Sequence, residues 1–269
     1  MRPNALIALA IVAGCATPVV MPTPEAREAL APGGKLRVAL NMGNPALVRR
    51  QGEDLAGIAV DLGHALAARL DAEFVAVPYP NAGALVEGAK NRGWDIAFAA
   101  IDPARADLLA FTAPYMEVGN TLLVPAGSPI RAVADADRRG TRIAVGAKNA
   151  ADLYLTRNIR DAELVRLPDT LEAAMEVLQN GKADVYAGNN ERLLIMRESL
   201  AGYRMLEGRY YSVEHAIAVP HGSRAAVGFA SAFVEELKSS GAVAKAIMVH
   251  GLRGVNVAPS AKGSAAAGR

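Results

Sequence analysis

The feature that most constrains this chain is a regular alternation of short apolar strands with amphipathic helices, which runs along it twice. The first run consists of strands at 35–40, 74–77 and 94–100 and helices at 58–70 and 82–91. The segment at 94–100 is apolar apart from one aspartate, as expected of a parallel strand that is buried on both faces. This order predicts a parallel sheet flanked by helices.

The alternation restarts after a turn segment at 125–129 that is rich in Pro and Gly. The second run consists of strands at 142–146, 163–167, 183–187 and 215–220 and helices at 150–158, 169–180 and 224–241. We therefore predict two α/β lobes. Because the chain crosses between the lobes twice, we expect a ligand cleft between them, at the carboxyl ends of the strands.

The composition excludes several classes of protein. The 269 residues carry 29 Lys and Arg against 27 Asp and Glu, and the two signs are interspersed. A net charge of +2 does not supply the positive field that nucleic-acid binding needs. A single cysteine excludes an internal disulfide and a multi-cysteine zinc site, and the four histidines do not fall at metal-ligand spacing. We expect a monomer with no metal and no cofactor.

The first residues are typical of an export signal. Arg2 is followed by an uncharged apolar stretch at 5–13, which is too short to cross a bilayer as a helix. The stretch ends in Val12-Ala13-Gly14-Cys15, which resembles the lipobox of bacterial lipoproteins, where the cysteine receives a lipid. An ordinary signal peptide cleaved close to Ala16 is the alternative. The resulting predictions are a signal peptide at 1–14, a lipidated tether at 15–34 and, at the other end, a disordered tail at 256–269.

The best local candidate for a binding residue is Arg105. It follows the buried strand at 94–100, and Asp102-Pro103 is typical of a helix start, where free backbone N–H groups favour an anion. A cation in the first turn of a helix is unfavourable. A bound carboxylate, which matches the guanidinium in bidentate geometry, would remove that conflict. The alternative is that Arg105 pairs with Asp102 or Asp107 on the surface.

Further segments between Lys35 and about Gly251 occur in a distinctive order. They are Gly57-Ile58-Ala59-Val60-Asp61-Leu62, Trp94-Asp95-Ile96, Ile101-Asp102-Pro103-Ala104-Arg105, Phe111-Thr112-Ala113-Pro114-Tyr115, Leu122-Leu123-Val124-Pro125 and Ala216-Ile217-Ala218-Val219-Pro220. In this order they resemble the bacterial extracellular solute-binding proteins of family 3, the polar amino-acid class that serves ABC importers.

The resemblance implies a two-lobed periplasmic binding protein fold of type II, in which each lobe is a mostly parallel sheet flanked by helices. With the segments at 122–125 and 216–220 as its two hinge strands, lobe 1 comprises 35–124 and 216–255 and lobe 2 comprises 125–215. It also implies an ABC permease in the inner membrane as partner. In that family the arginine that matches Arg105 clamps the α-carboxylate of the ligand. The ligand-binding positions that it implies here are Arg105, Ala100, Asp102, Asn44, Tyr79, Asn149, Ala150 and Asn189.

Three of these positions depart from the family pattern. Ala100 stands where Ser or Thr usually donates a second hydrogen bond to the carboxylate. Asn189 stands where the family has the acid that holds the α-ammonium, and a neutral amide lacks the ion-pair contribution. The loop at 41–45 lacks the usual acid and stacking aromatic. Near 79–81 the usual aromatic is displaced or absent, and Tyr79 is a candidate substitute for it. These departures favour a small carboxylate over a standard zwitterion.

Three functions are compatible with these residues. The preferred one is a solute-binding lipoprotein, in the periplasm or at the cell surface and anchored to the bilayer through Cys15. It captures a small carboxylate or amino-acid-like ligand for an ABC importer and has no catalytic residue. The second is a dehydratase-like enzyme on the same scaffold, for which Glu191 and Glu214 are the available carboxylates, without a recognisable catalytic constellation. The third is a ligand-sensing partner of a membrane receptor.

Overall fold

The computed structural model describes residues 19–221 and 223–261. The predicted signal peptide and Cys15 lie outside these residues, as does most of the predicted tail. The helices are α1 (Pro24–Leu30), α2 (Ile58–Leu70), α3 (Ala82–Lys90), α4 (Ala150–Asn158), α5 (Leu171–Gln179), α6 (Asn190–Ser199), α7 (Arg224–Ser239) and α8 (Ala242–Val249). The strands are β1 (Lys35–Asn41), β2 (Arg49–Gln51), β3 (Asp54–Ala56), β4 (Glu73–Tyr79), β5 (Ile96–Ala100), β6 (Leu109–Phe111), β7 (Met116–Pro125), β8 (Arg142–Gly146), β9 (Glu163–Leu167), β10 (Val185–Asn189), β11 (Tyr203–Met205), β12 (Tyr211–Pro220) and β13 (Val255–Val257).

One sheet continues through both halves of the molecule, with strand order β4-β1-β5-β12-β7-β10-β8-β9. At one end β1 pairs in parallel with β4 and β5, and at the other end β8 pairs in parallel with β9 and β10. Between these groups β12 and β7 pair antiparallel with each other, β12 with β5, and β7 with β10. These two long strands join the halves, and the exact bounds of the lobes stay a prediction.

Lobe 1 packs around α2, whose apolar face arises from a helical repeat. The repeat consists of Ile58, Leu62, Leu66 and Leu70, all of which are buried in one core with residues of β1. Before the helix, Gly57 has a φ of 141°. A Cβ at Gly57 would lie 2.4 Å from the Leu47 carbonyl oxygen, so only glycine fits at this close approach.

Lobe 2 is apolar on both faces of its sheet, because successive residues of a strand point to opposite sides. Along β8, Ile143 and Val145 pack on the side of α4, whereas Ala144 packs on the side of α5 and α6. Because α4 follows β8, α6 follows β10 and the two strands are parallel, both helices start at the same carboxyl edge of the sheet.

The helix predicted to start at Asp102-Pro103 is a single 3-10 turn, Pro103–Arg105. Asp102 caps this turn, and its Oδ1 accepts the Ala104 N–H at 2.9 Å. The chain then enters β6, which pairs with β12, so strand pairing replaces the helix. The helix-terminus argument for an anion at Arg105 is therefore wrong, and a binding role depends on the side chain itself.

The predicted tether is wrong for residues 24–34. Within it, α1 packs against α7 and buries Ala26 and Leu30 in the core of lobe 1. Upstream, the Val20 N–H donates to Glu236 at 2.7 Å, so the chain is already attached to the body there. The N-terminal segment is part of the folded lobe because its partners lie some 200 positions further along.

The predicted disordered tail is also wrong at its start. Val255–Val257 forms β13 and pairs antiparallel with β7. Ala258 is buried, and its N–H donates to the Tyr115 carbonyl at 3.1 Å. The ordered chain therefore extends a few residues into the predicted tail.

Leu30→Ala should lower the free energy of unfolding by about 2–5 kcal/mol, because it removes a fully buried side chain from the core of lobe 1. Urea denaturation measures the change. Val19→Ala, at an exposed position nearby, is the matched control and should change stability by less than about 0.5 kcal/mol. Equally small effects of both substitutions would contradict the inclusion of α1 in the lobe.

Candidate functional site

A cavity lies between the lobes, at the carboxyl ends of the strands. Its volume is about 50 Å³, counted as room for the centres of water-sized groups. The polar side chains that line it are Asn41, Asn44, Arg105, Asn120, Asn149, Asp169, Asn189, Arg192 and His215. Of the residues predicted from sequence, those that line it are Arg105, Ala100, Asn44, Asn149, Ala150 and Asn189.

Arg105 is buried, with 4% of its surface exposed. Its Nη1 donates to the Ala100 carbonyl at 2.8 Å, and its Nη2 donates across the cleft to the Lys148 carbonyl at 3.3 Å. Burial lowers the pKa of Arg105, although the nearby Asp102 and Asp169 act in the opposite direction. The guanidinium nevertheless keeps its charge. None of the ion pairs within 19–221 and 223–261 includes it, and a buried cation without an anion is costly.

Asp102 lies beside the cavity but does not line it. Its carboxylate forms a two-point ion pair with Arg157 of α4, at 3.0 and 2.7 Å. Since Arg157 occupies Asp102, and Asp107 is exposed, the alternative in which Arg105 pairs with either acid on the surface is wrong. Asp102 acts in this structure as a contact between the lobes rather than as part of the cavity wall.

Asn189 and Asn44 face each other from opposite lobes. The Asn189 Oδ1 accepts the Arg192 N–H at 2.9 Å and so caps α6, while its Nδ2 donates to the Asn44 Oδ1 at 3.1 Å. The Asn44 Oδ1 also accepts the Ala46 N–H at 3.1 Å. Both amide oxygens are therefore already engaged by N–H groups.

Asn149 and Ala150 form the start of α4 at the wall of the cavity. The Asn149 Oδ1 accepts the Asp152 N–H at 3.0 Å as the helix cap, and its Nδ2 donates to Asp169 at 3.0 Å. Lys148 before them has a φ of 63°, which turns its carbonyl towards Arg105. This loop therefore presents a carbonyl to the Arg105 guanidinium.

Tyr79 lies away from the cavity, contrary to its proposed role as a cleft aromatic. Its hydroxyl packs against Gly88 and Gly93, where a Cβ would clash with it. The ring belongs to the small core that also contains Trp94 and Leu85. Tyr79 is thus a packing residue of lobe 1.

A buried ion pair between Asp169 and Arg192 is the largest feature that the sequence analysis missed. Arg192 Nη1 donates to Asp169 Oδ1 at 2.7 Å and to the Tyr186 hydroxyl at 2.9 Å. Its Nη2 donates to the Gly43 carbonyl of the other lobe. The available signal was the position of Asp169 just after strand 163–167, at the carboxyl edge of the sheet.

The joining strands supply two further polar groups that sequence reasoning missed, Asn120 and His215. The Asn120 Nδ2 donates to the Val118 carbonyl at 3.0 Å. His215 is 3% exposed; its Nε2 lies 3.4 Å from the Asn44 Nδ2 and its Nδ1 lies 3.4 Å from the Val213 carbonyl. These contacts assign the proton to Nδ1. Burial lowers the pKa of His215 to about 4, so the ring is neutral at pH 7.

The two lobes are in contact around the cavity. At the rim, Arg49 of lobe 1 pairs with Glu191 of α6 at 2.6 Å. The Asp102–Arg157 pair and the Arg192 bond to the Gly43 carbonyl make further contacts across the cleft. The molecule is therefore in a closed form.

A closed cleft between two α/β lobes that are joined by two strands is the arrangement of the solute-binding protein fold. The model of the bacterial extracellular solute-binding proteins, family 3, matches residues 36–249, and the chain belongs to this family. The predicted family and the predicted type II fold are both confirmed.

Solved structures agree with this fold. A mutant of ArgBP from T. maritima has a TM-score of 0.72 at 22% identity, covering 85% of this chain and 100% of that chain. AbpA from Streptococcus pneumoniae bound to L-arginine has a TM-score of 0.71 at 20% identity, covering 83% of this chain and 97% of that chain. The ancestral amino acid-binding protein AncCDT-1, a precursor of cyclohexadienyl dehydratase, has a TM-score of 0.69 at 18% identity, covering 80% of this chain and 94% of that chain. Among curated proteins no match was found.

The stability of the protein should depend on pH through His215. Its pKa is about 4 when folded against an ordinary value of 6.5, so between these values the unfolded chain binds a proton that the folded chain does not. The free energy of unfolding should therefore fall as the pH is lowered from 6.5 to 4, by at most about 3 kcal/mol from this group.

His215→Gln removes that contribution. The difference in unfolding free energy between wild type and variant, measured by urea denaturation at several pH values, should change across pH 6.5 to 4. Carboxylates that titrate in the same range act on both proteins and cancel in the difference. Parallel curves for the two proteins would contradict a neutral, buried His215.

Proposed function

We propose that this protein captures a small carboxylate, an amino acid or a related compound, in the interlobe cleft and delivers it to an ABC importer. The observation that supports this most directly is Arg105, a buried guanidinium at the cavity with no acid paired to it. A carboxylate accepts two parallel N–H bonds from a guanidinium and cancels its charge. The ligand would thereby supply the anion that the closed cleft lacks.

Family membership supports the same class of ligand. The similar structures include a binding protein with L-arginine bound and an ancestral amino acid-binding protein. All of them are less than 25% identical to this chain, so they support the class of function and leave the individual contacts to be derived from this chain's own residues.

A dehydratase-like enzyme on the same scaffold is the second candidate, because AncCDT-1 is described as a precursor of a dehydratase. The carboxylates expected to act as acid or base are not at the cavity. Glu191 accepts from Arg49 and from the Arg253 N–H, and Glu214 is exposed. Asp169 lines the cavity but is bound to Arg192. These positions favour binding without turnover.

The proposed location is the periplasm or the cell surface. Among residues 19–221 and 223–261, no helix has both the length and the apolar character to span a membrane. Attachment to the bilayer through Cys15 stays a prediction from the sequence, since Cys15 lies outside the described residues. Anchoring of this kind would keep the binding lobes close to a membrane permease.

Arg105→Ala should lower carboxylate affinity about 100-fold or more, because it removes a charge-assisted, two-point contact in a dry site. A thermal-shift screen of amino acids, hydroxy acids, oxo acids and aromatic carboxylates identifies ligands, and calorimetry then compares the variant with wild type. Arg209→Ala, at an exposed arginine, is the matched control and should bind normally. Equal carboxylate affinity of Arg105→Ala and wild type would contradict the proposed clamp.

Glu191→Gln should shift the ligand-free protein towards an open form, because it removes the charge that Arg49 contacts across the cleft. Small-angle X-ray scattering should show a larger radius of gyration without ligand. Glu198→Gln is the control, since Glu198 lies on the same helix and its contact with Arg253 at 3.8 Å is exposed. An unchanged radius for Glu191→Gln would mean that this contact does not hold the lobes together.

A further inference from the structure

The cavity carries one positive charge more than its own residues cancel. Its ionised side chains are Arg105, Arg192 and Asp169, among the residues that the structure describes. Asp169 and Arg192 are paired at 2.7 Å and neutralise each other. His215 is neutral, so Arg105 alone contributes the net charge.

The carboxylates around the cavity are already committed elsewhere. Asp102 is bound by Arg157, and Asp152 accepts from Arg166 at 2.8 Å. Glu191 is bound by Arg49 at the rim. None of these three described acids is therefore left to balance Arg105 in the closed form, so a ligand would have to supply the charge that completes the site.

Three asparagine oxygens at the cavity are already partly used and so offer less to an ammonium group, which carries three N–H donors. The side-chain oxygens of Asn44, Asn149 and Asn189 each accept a backbone N–H already. Asp169 is the only anion at the described cavity wall, and it already balances Arg192. A zwitterion has no net charge, so it would leave the surplus of one positive charge in place, whereas a monoanion removes it.

The small size of the cavity adds a second limit. In the closed form it offers about 50 Å³ for the centres of water-sized groups. This favours a small acid over one with a long side chain.

We infer that the ligand is a small monoanion, a 2-hydroxy or 2-oxo carboxylate without an ammonium group. Its carboxylate lies on Arg105, and its second oxygen faces the amides of Asn44 and Asn189. Asn189 is thus a specificity-determining residue that selects oxygen over nitrogen at the α-carbon. This inference rests on the proposed function, because it uses the carboxylate clamp at Arg105.

The test compares ligands that differ only at the α-carbon. Calorimetry at pH 7 with glycolate and glycine, and with L-lactate and L-alanine, should show at least tenfold tighter binding of each hydroxy acid to wild-type protein. Glyoxylate and pyruvate test the oxo acids in the same way.

Asn189→Asp should reverse this preference, because the added carboxylate repels the monoanion and pairs with an ammonium. The variant should fold normally, since Asp also caps a helix well, and thermal unfolding verifies that. Gln51→Glu adds the same charge at an exposed position outside the cleft and should leave the preference of wild type unchanged.

Amino acids that bind wild type as tightly as their hydroxy counterparts would overturn the inference, and so would an unaltered preference in Asn189→Asp. No binding of either series would overturn it as well. The proposed function is decided separately: if another carboxylate from the wider screen binds wild type but not Arg105→Ala, the clamp stands and only the ligand class is wrong.

Discussion

The closed cleft depends on how the charge of one buried arginine is compensated. Removing a guanidinium from water is expensive, and Arg105 recovers part of this energy through two backbone carbonyls, those of Ala100 and Lys148. Carbonyl dipoles stabilise a cation but do not cancel its charge. The remaining imbalance makes the closed form selective, because an anion in the cavity gains more from this arginine than it would from one exposed to water.

The fold brings this group together with its neighbours through the two strands that join the lobes. The antiparallel pairing of β12 with β5 places His215 opposite Ala100, and the pairing of β7 with β10 places Asn120 opposite Asn189. The floor of the cavity is therefore built on the sheet itself. The walls are different, because they consist of strand ends and helix starts that meet only when the lobes close.

The sequence predicts elements best where local signals agree. The bounds of α2, α4 and β9 are those expected from periodicity and capping. The helix expected after Asp102 is wrong because β6 pairs with β12, about 100 positions away, and no local pattern reveals such a partner. The tether is wrong for a similar reason, since α1 packs on α7. Arg105 was found because it directly follows a buried strand. Asp169 was missed because it looks like an ordinary helix cap, and Arg192 because no predicted element contains its position. Only the fold pairs the two.

Closure balances two opposing electrostatic effects. The contact of Arg49 with Glu191 and that of Asp102 with Arg157 join the two lobes through the protein's own side chains, and they favour the closed form. Burial of Arg105 without an anion opposes it. A ligand shifts such an equilibrium only by its difference in affinity for the two forms. A monoanion has a large difference in affinity between the open and closed forms, because it contacts the buried guanidinium fully only after closure. A neutral molecule of the same size has only a small difference in affinity. The charge of the ligand, more than its shape, therefore determines how strongly binding is coupled to closure in this protein.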